Sequence, residues 1–226
     1  MMQPLRLIIF DVDGTLVDSQ GDIVASMHHA FGELGAPVPE RAAIVGIIGL
    51  SLDVAMVRLA PDLDPREHAA LVAGYKRSYM TLRTQAGAAE SSPLYPGTRD
   101  MLETLAARDD LLLGVATGKS RRGLDKLLEG HGLTHMFVTQ QVADYHPSKP
   151  HPAMLQAALA ETGTEARDAI MIGDTTFDMD MARAAGLRGI GVEWGYHPTS
   201  DLRCDYTLAS WRDLPGCLER IWGVPA

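Results

Sequence analysis

The chain has 226 residues, 46% of them hydrophobic, and a formal net charge of −9. That length fits one large domain or a core carrying a smaller insert, and the acidic balance offers nucleic acid no basic stripe. No apolar run approaches the ~20 residues that cross a bilayer, and two cysteines, Cys204 and Cys217, supply neither a disulfide framework nor a metal-ligand spacing.

Met1-Met2-Gln3-Pro4 leads almost directly into the first apolar run, leaving no room for a leader. The expected setting is therefore the cytoplasm, and the expected partner a small molecule, with neither nucleic acid nor membrane involved. Residues 5–10 read as a buried strand that ends in Phe10-Asp11-Val12-Asp13-Gly14-Thr15-Leu16-Val17-Asp18. Carboxylates two positions apart point to the same side of an extended chain. Just past the strand, a turn at Gly14 can aim both at one substrate. Asp11 can then attack phosphorus while Asp13 exchanges a proton with the leaving oxygen.

From about residue 18 to residue 92 the pattern is helical, with no convincing strand. An amphipathic stretch over 22–34 ends at Gly35-Ala36-Pro37, and Ser51 is placed to cap a helix over 52–59. Asp64 and Pro65 supply an N-cap and first-turn proline for a long helix to about residue 83. The segment reads as a lid inserted after the first strand, with 91–97 as the return linker. Its Gly46-Ile47-Ile48-Gly49-Leu50-Ser51 stretch is either a loop that reads the substrate, with Ser51 as a candidate contact, or a plain helix connection. His28, His29 and Arg58 read first as exposed helix residues.

The second half alternates. Apolar runs at 111–116, 136–139, 169–172 and 189–192 read as strands, and helical spacing covers 98–107, 119–129, 152–161 and 176–185. This order predicts an α/β fold, a parallel Rossmann-like sheet with helices on both faces, plus the inserted all-α cap. Ligands of such sheets bind beyond the carboxyl ends of the strands. Thr117 ends the second strand in Val115-Ala116-Thr117-Gly118-Lys119, where a hydroxyl and the Gly118 amide can take phosphoryl oxygens. Lys149, in Ser148-Lys149-Pro150, can bridge the nucleophile and the phosphate. Asp174 and Asp178 stand in Gly173-Asp174-Thr175-Thr176-Phe177-Asp178. Carboxylates at the ends of buried strands are costly without a compensating cation, and oxygen-only ligands favour a hard one such as Mg²⁺. Trp194 and Tyr196 follow the last strand as cleft-wall or rim aromatics.

Asp-x-Asp-Gly-Thr-Leu-Val-Asp, Ala-Thr-Gly, Ser-Lys-Pro and Gly-Asp-Thr-x-x-Asp are together similar to the four motifs of the haloacid dehalogenase-like superfamily. The likeness runs from residue 5 to about 194, and the helical insert resembles that superfamily's C1 cap. Softer likenesses, in Tyr95-Pro96-Gly97, Ala182-x-x-Ala185-Gly186 and Trp194-Gly195-Tyr196, point towards phosphoglycolate-phosphatase-like members. The resemblance implies a catalytic core of 1–17 and 93–226 with a cap of 18–92. It makes Asp11 the nucleophile and a metal ligand, and Asp13 the acid/base that also reaches the metal through its backbone carbonyl. Thr117 and Lys149 would bind the phosphoryl group with Gly14, Gly118 and Ser51 nearby. Asp174 would be a metal ligand, and Asp178 would support the metal site or contact Lys149.

Asp13 also sets aside the superfamily's dehalogenases and phosphonate hydrolases, which resemble this chain but lack an aspartate there. The implied activity is a Mg²⁺-dependent phosphatase acting on a small phosphorylated metabolite such as phosphoglycolate. The alternatives are a sugar phosphomutase using the same aspartate pair and a catalytically silent regulatory protein that binds phosphate esters. Monomer and homodimer are both compatible with the sequence.

Overall fold

The computed structural model describes residues 5–223; residues 1–4, on which the expectation of no leader rests, and residues 224–226 lie outside it. The first strand, β1 (Arg6–Phe10), is buried along its whole length. Five helices follow: α1 (Gln20–Leu34), α2 (Arg41–Val45), α3 (Leu52–Leu59), α4 (Pro65–Ala86) and α5 (Ala88–Ser91). The chain then alternates through α6 (Thr98–Ala106), β2 (Leu111–Thr117), α7 (Arg121–His131), β3 (Thr139–Val142), α8 (Ala153–Thr162), β4 (Ala169–Gly173), α9 (Thr176–Ala185) and β5 (Arg188–Val192). It closes with β6 (Tyr206–Leu208) and α10 (Leu214–Trp222).

All six strands are parallel, in the order β3-β2-β1-β4-β5-β6. Side chains alternate across β1. Ile8 and Phe10 face a core completed by Leu102, Leu124, Leu127, Trp211 and Leu218, whereas Leu7 and Ile9 face Met154, Leu155, Ala158 and Met181. Helices therefore cover both faces of the sheet. Burial on both sides explains why β1 and β4 read as unbroken apolar runs.

Three elements differ from the sequence expectation. The strand expected over 136–139 begins at Thr139, which pairs with Gly114; Phe137, and Met136 beside it, pack into the core ahead of it. β6 is too short, at three residues, to show a period. α10 buries Leu214, Cys217, Leu218 and Ile221 at helical spacing, a legible pattern that the strand-by-strand reading passes over.

The helices between Gln20 and Ser91 form a second apolar cluster, in which Met27, Phe31, Ile44, Met56 and Leu71 are buried. Phe177 of α9 reaches into this cluster from the sheet side. The two chain crossings lie together: Val17 bridges Leu94, and Asp18 N donates to the Pro93 carbonyl at 2.9 Å. Long α4 is fixed at its start by Asp64, which accepts from Arg66 N and Glu67 N, while the Glu67 side chain accepts from Asp64 N. Among the described residues no helix is long and apolar enough to cross a membrane.

Candidate active site

Strand order reverses between β1 and β4, the place where doubly wound sheets bind ligands. Asp11 follows β1 and Asp174 follows β4, and Asp11 N donates to the Ile172 carbonyl at 2.9 Å. Lys149, delivered by the loop before α8, is fully buried; its Nζ donates to Asp11 Oδ1 and to Asp178 Oδ1, both at 2.7 Å. The other oxygen of Asp178 accepts from Thr175 N at 3.0 Å and Thr175 Oγ1 at 2.7 Å. Asp178 thus caps the start of α9 and braces the lysine at once.

Asp174 is held from two sides. Thr15 Oγ1 donates to its Oδ1 at 3.0 Å, and Tyr196 N donates to its Oδ2 at 2.8 Å. It is packed between glycines: a Cβ on Gly14, whose φ is 86°, would lie 2.1 Å from Asp174 Oδ2, and one on Gly195 would lie 2.0 Å from Asp174 Cβ. Both positions therefore require glycine.

Carboxylate oxygens of Asp11, Asp174 and Asp178 all lie within 4.8 Å of one another. Against these three buried acids stands one buried lysine, bonded to Asp11 and Asp178, which leaves an excess of two negative charges when all are ionised. Burial is the main force pushing Asp11 up, to about 7, against the pull of Lys149. Burial, then the charges of Asp11 and Asp178, push Asp174 well above the usual carboxylate range. Burial alone would lower Lys149, but Asp11 and Asp178 outweigh it and hold the ammonium above its ordinary value. Asp11 Oδ2 is buried with no hydrogen-bond partner. That free oxygen and the excess charge fit a divalent cation.

Asp13 points elsewhere. Its carboxylate is not part of the acid trio: Oδ1 accepts from Lys119 Nζ at 2.7 Å and from Ser19 Oγ. Burial, the largest single influence, pulls Lys119 down, but the charge and hydrogen bond of Asp13 together with Tyr79 outweigh it, so the lysine stays protonated. Tyr196 Oη accepts from Ser19 N at 3.0 Å, which ties the first chain crossing to the loop after β5. Lys119, Ser19 and Thr15 complete the site without having been assigned roles from sequence, and Tyr196, expected as a cleft-wall or rim aromatic, joins them. Lys119 stands in the Thr-Gly-Lys motif itself and was open to such a reading. Ser19 and Tyr196 are 177 positions apart, and no local pattern joins them.

Thr117 is fully buried at the end of β2, its Oγ1 accepting from Lys119 N at 3.2 Å. Gly118 lies directly beneath the loop before α3: a Cβ there would sit 2.6 Å from both the Gly49 and Leu50 carbonyl oxygens. Ser51 occupies the N-cap position of α3, but its side chain makes no capping bond. Its amide instead donates to Ser148 Oγ at 2.9 Å, linking the helical segment to the lysine loop. His28 and His29 are exposed on α1, and Arg58 lies over the Phe177 ring at 5.3 Å. Trp194 donates to the Thr15 carbonyl at 3.1 Å and meets Trp211 edge-on, as a packing residue.

A cavity of about 860 Å³ opens between the helical segment and the sheet edge, with Asp13, Gly118 and Lys119 on one wall and Gly49, Ser51 and Tyr79 on the other. Gly118→Ala is expected to force this loop outward. Because a displacement near 1 Å can cost about 100-fold in rate, kcat/KM should fall by roughly that factor, and because the clash is with backbone the thermal midpoint should fall as well. Unchanged kinetics would show that the loop position is irrelevant to turnover.

Fold and site together define a doubly wound α/β protein with a buried acid–lysine centre beneath a helical cover. The sequence profile of the family described as haloacid dehalogenase-like hydrolase matches residues 8–192. The chain belongs to that family. It is 37% identical over 204 residues, 89% of this chain and 86% of the other, to a Dickeya dadantii protein named "Probable phosphatase IndB". It is 31% identical to the phosphoglycolate phosphatase of Aliivibrio fischeri, with 97% and 99% of the two chains covered. Among solved structures, one described as a predicted phosphoglycolate phosphatase from Haemophilus somnus superposes with a TM-score of 0.82 at 25% identity, covering 96% of this chain and 100% of that one.

Proposed function

We propose that this hydrolase is a Mg²⁺-dependent phosphatase that cleaves a small phosphorylated metabolite, with residues 18–92 as its cap and 1–17 and 93–226 as its core. The observation that carries the reading is Asp11: one carboxylate oxygen is clamped by Lys149, and the other is buried and unpartnered beside two further acids. The relatives named as phosphatases support the reaction class.

Asp11 and Asp174 would hold the ion, with the Asp13 backbone carbonyl, as the family resemblance implies. Asp178 has both oxygens engaged by protein donors, so it serves from behind through Lys149. A bound Mg²⁺ supplies neutralisation of charge on the phosphoryl oxygens. Lys149 adds a second cation, and Thr117 Oγ1 with the Gly118 amide orients the group for in-line attack. Asp11 forms a bond to phosphorus as the bond to the leaving oxygen breaks, and that oxygen takes a proton from Asp13, which must enter this step protonated although its carboxylate pairs with Lys119 in the structure. Asp13, now a carboxylate paired with Lys119, then accepts a proton from water; the water oxygen bonds to phosphorus, and Asp11 departs with the electron pair of its bond. Phosphate release from a panel of phosphorylated metabolites, with and without Mg²⁺, tests the reading. Metal-stimulated release is expected, and its absence across the panel would refute it.

Metal binding should also show in stability. Asp11 has a folded pKa raised from 3.8 to about 7. The folded protein therefore binds more protons than the unfolded chain between those values. The contribution of Asp11 to stability is complete below about pH 4 and is lost as pH rises through 7. A cation competing with those protons gains most where they have left. The rise in thermal midpoint on adding Mg²⁺ should be larger at pH 8 than at pH 5.5; an equal or reversed difference would contradict this site.

A further inference from the structure

The cavity extends well beyond the acid centre, and its far wall is basic. Five lysines and arginines line it against three aspartates, in a chain whose net charge is −9. Asp13 and Lys119 cancel as an ion pair, which leaves four lysines and arginines against Asp53 and Asp144. Along α4, Tyr75, Tyr79 and Arg83 stand at successive four-residue steps on the face towards the cavity. Tyr75 and Tyr79 stack at 5.7 Å, and Tyr79 Oη is 3.3 Å from Lys119 Nζ, the partner of Asp13. Arg83 continues the stripe one turn further, ~6 Å along the helix. Its Nη1 donates to the Gly123 carbonyl at 3.1 Å, whereas Nε and Nη2 are buried with no hydrogen-bond acceptor. An arginine edge left with two buried donors is costly in a folded protein. It also matches the fork geometry with which guanidinium binds carboxylate or phosphate.

We infer that Arg83 receives a second anionic group of the substrate, so that the natural substrate is a phosphate monoester bearing a carboxylate or another phosphate at the end remote from the scissile bond. This rests on the phosphatase reading and sharpens it. The phosphate sits at the acid centre, the body of the leaving group crosses Tyr79, and its far anion meets Arg83. The spacing favours a leaving group longer than a two-carbon acid.

The test is calorimetric binding of non-hydrolysable alkyl phosphonates to the full chain with Mg²⁺. Chains of graded length carry a terminal carboxylate, a second phosphonate or a methyl group. In the parent, a doubly anionic phosphonate is expected to bind at least ~10-fold tighter than the methyl-ended one of equal length. The advantage should be greatest for chains longer than two carbons. Arg83→Gln should remove most of that ratio, and Arg83→Lys should restore part of it. Whether the carboxylate or the phosphonate arm gains more identifies the second anion. Equal affinities in the parent, or a ratio that survives in Arg83→Gln, would overturn the assignment. Phosphate release from p-nitrophenyl phosphate, whose leaving group carries no second anion, separates the two levels. Release without any doubly anionic preference removes only the Arg83 site; neither release nor phosphonate binding removes the phosphatase reading with it.

Discussion

Asp11→Asn is expected to lower Mg²⁺-dependent phosphate release by roughly four to six orders of magnitude, the scale on which loss of a covalent nucleophile acts. The substitution keeps the shape of the side chain and one hydrogen-bond acceptor for Lys149, and Lys149 retains Asp178 at 2.7 Å. It also removes one of three crowded carboxylates. The folded state should therefore persist, and the variant should unfold no more readily than the parent in metal-free buffer at pH 8, where ionised Asp11 is a burden. Circular dichroism melts and a phosphate assay on the same preparation check both halves. Activity within 100-fold of the parent would remove Asp11 from the role of nucleophile.

Lys149→Met should act on stability as strongly as on rate. The ammonium is fully buried and is the shared partner of Asp11 and Asp178. Removing one member of a buried ion network leaves the remaining charges uncompensated, at a cost of about 3–5 kcal/mol. Much of a typical domain's net stability is of that size. The loss should depend on pH in a defined direction. Without the lysine, Asp11 is pushed further above its unfolded value, so the deficit is largest at alkaline pH and shrinks as pH falls through the folded pKa towards 4. Urea unfolding of metal-free parent and variant at pH 5 and pH 8 measures this. A difference below about 1 kcal/mol at pH 8 would mean that the lysine does not carry the charge balance of the site.

The legible parts of the molecule were those governed by short-range rules. β1 and β4 announced themselves because burial on both faces leaves no polar alternation to obscure them. The start of α4 followed from Asp64 and Pro65, and the structure adds the reciprocal Glu67 bond. β3 was displaced by three residues because Met136 and Phe137 fill the core without pairing in the sheet. At the site, Asp11, Lys149, Asp174 and Asp178 could be nominated because each sits in a dense local motif, and the structure places them in direct contact or within 4.8 Å. Asp13 was nominated too, but its contact with Lys119 and Ser19 could not be read from spacing. Arg83 carried no signal at all: on α4 it is one of several helix cations, and only the folded chain brings it to the Gly123 carbonyl and buries two of its donors.

The central claim is that the phosphoryl group passes through a covalent bond to Asp11. Hydrolysis of a phosphorothioate ester, made chiral at phosphorus by its sulfur and one heavy oxygen isotope and cleaved in water carrying the other, tests it most directly. Two successive in-line displacements, first by Asp11 and then by water, predict thiophosphate released with retained configuration; inversion would mean that water attacks the ester directly and that Asp11 is not the nucleophile.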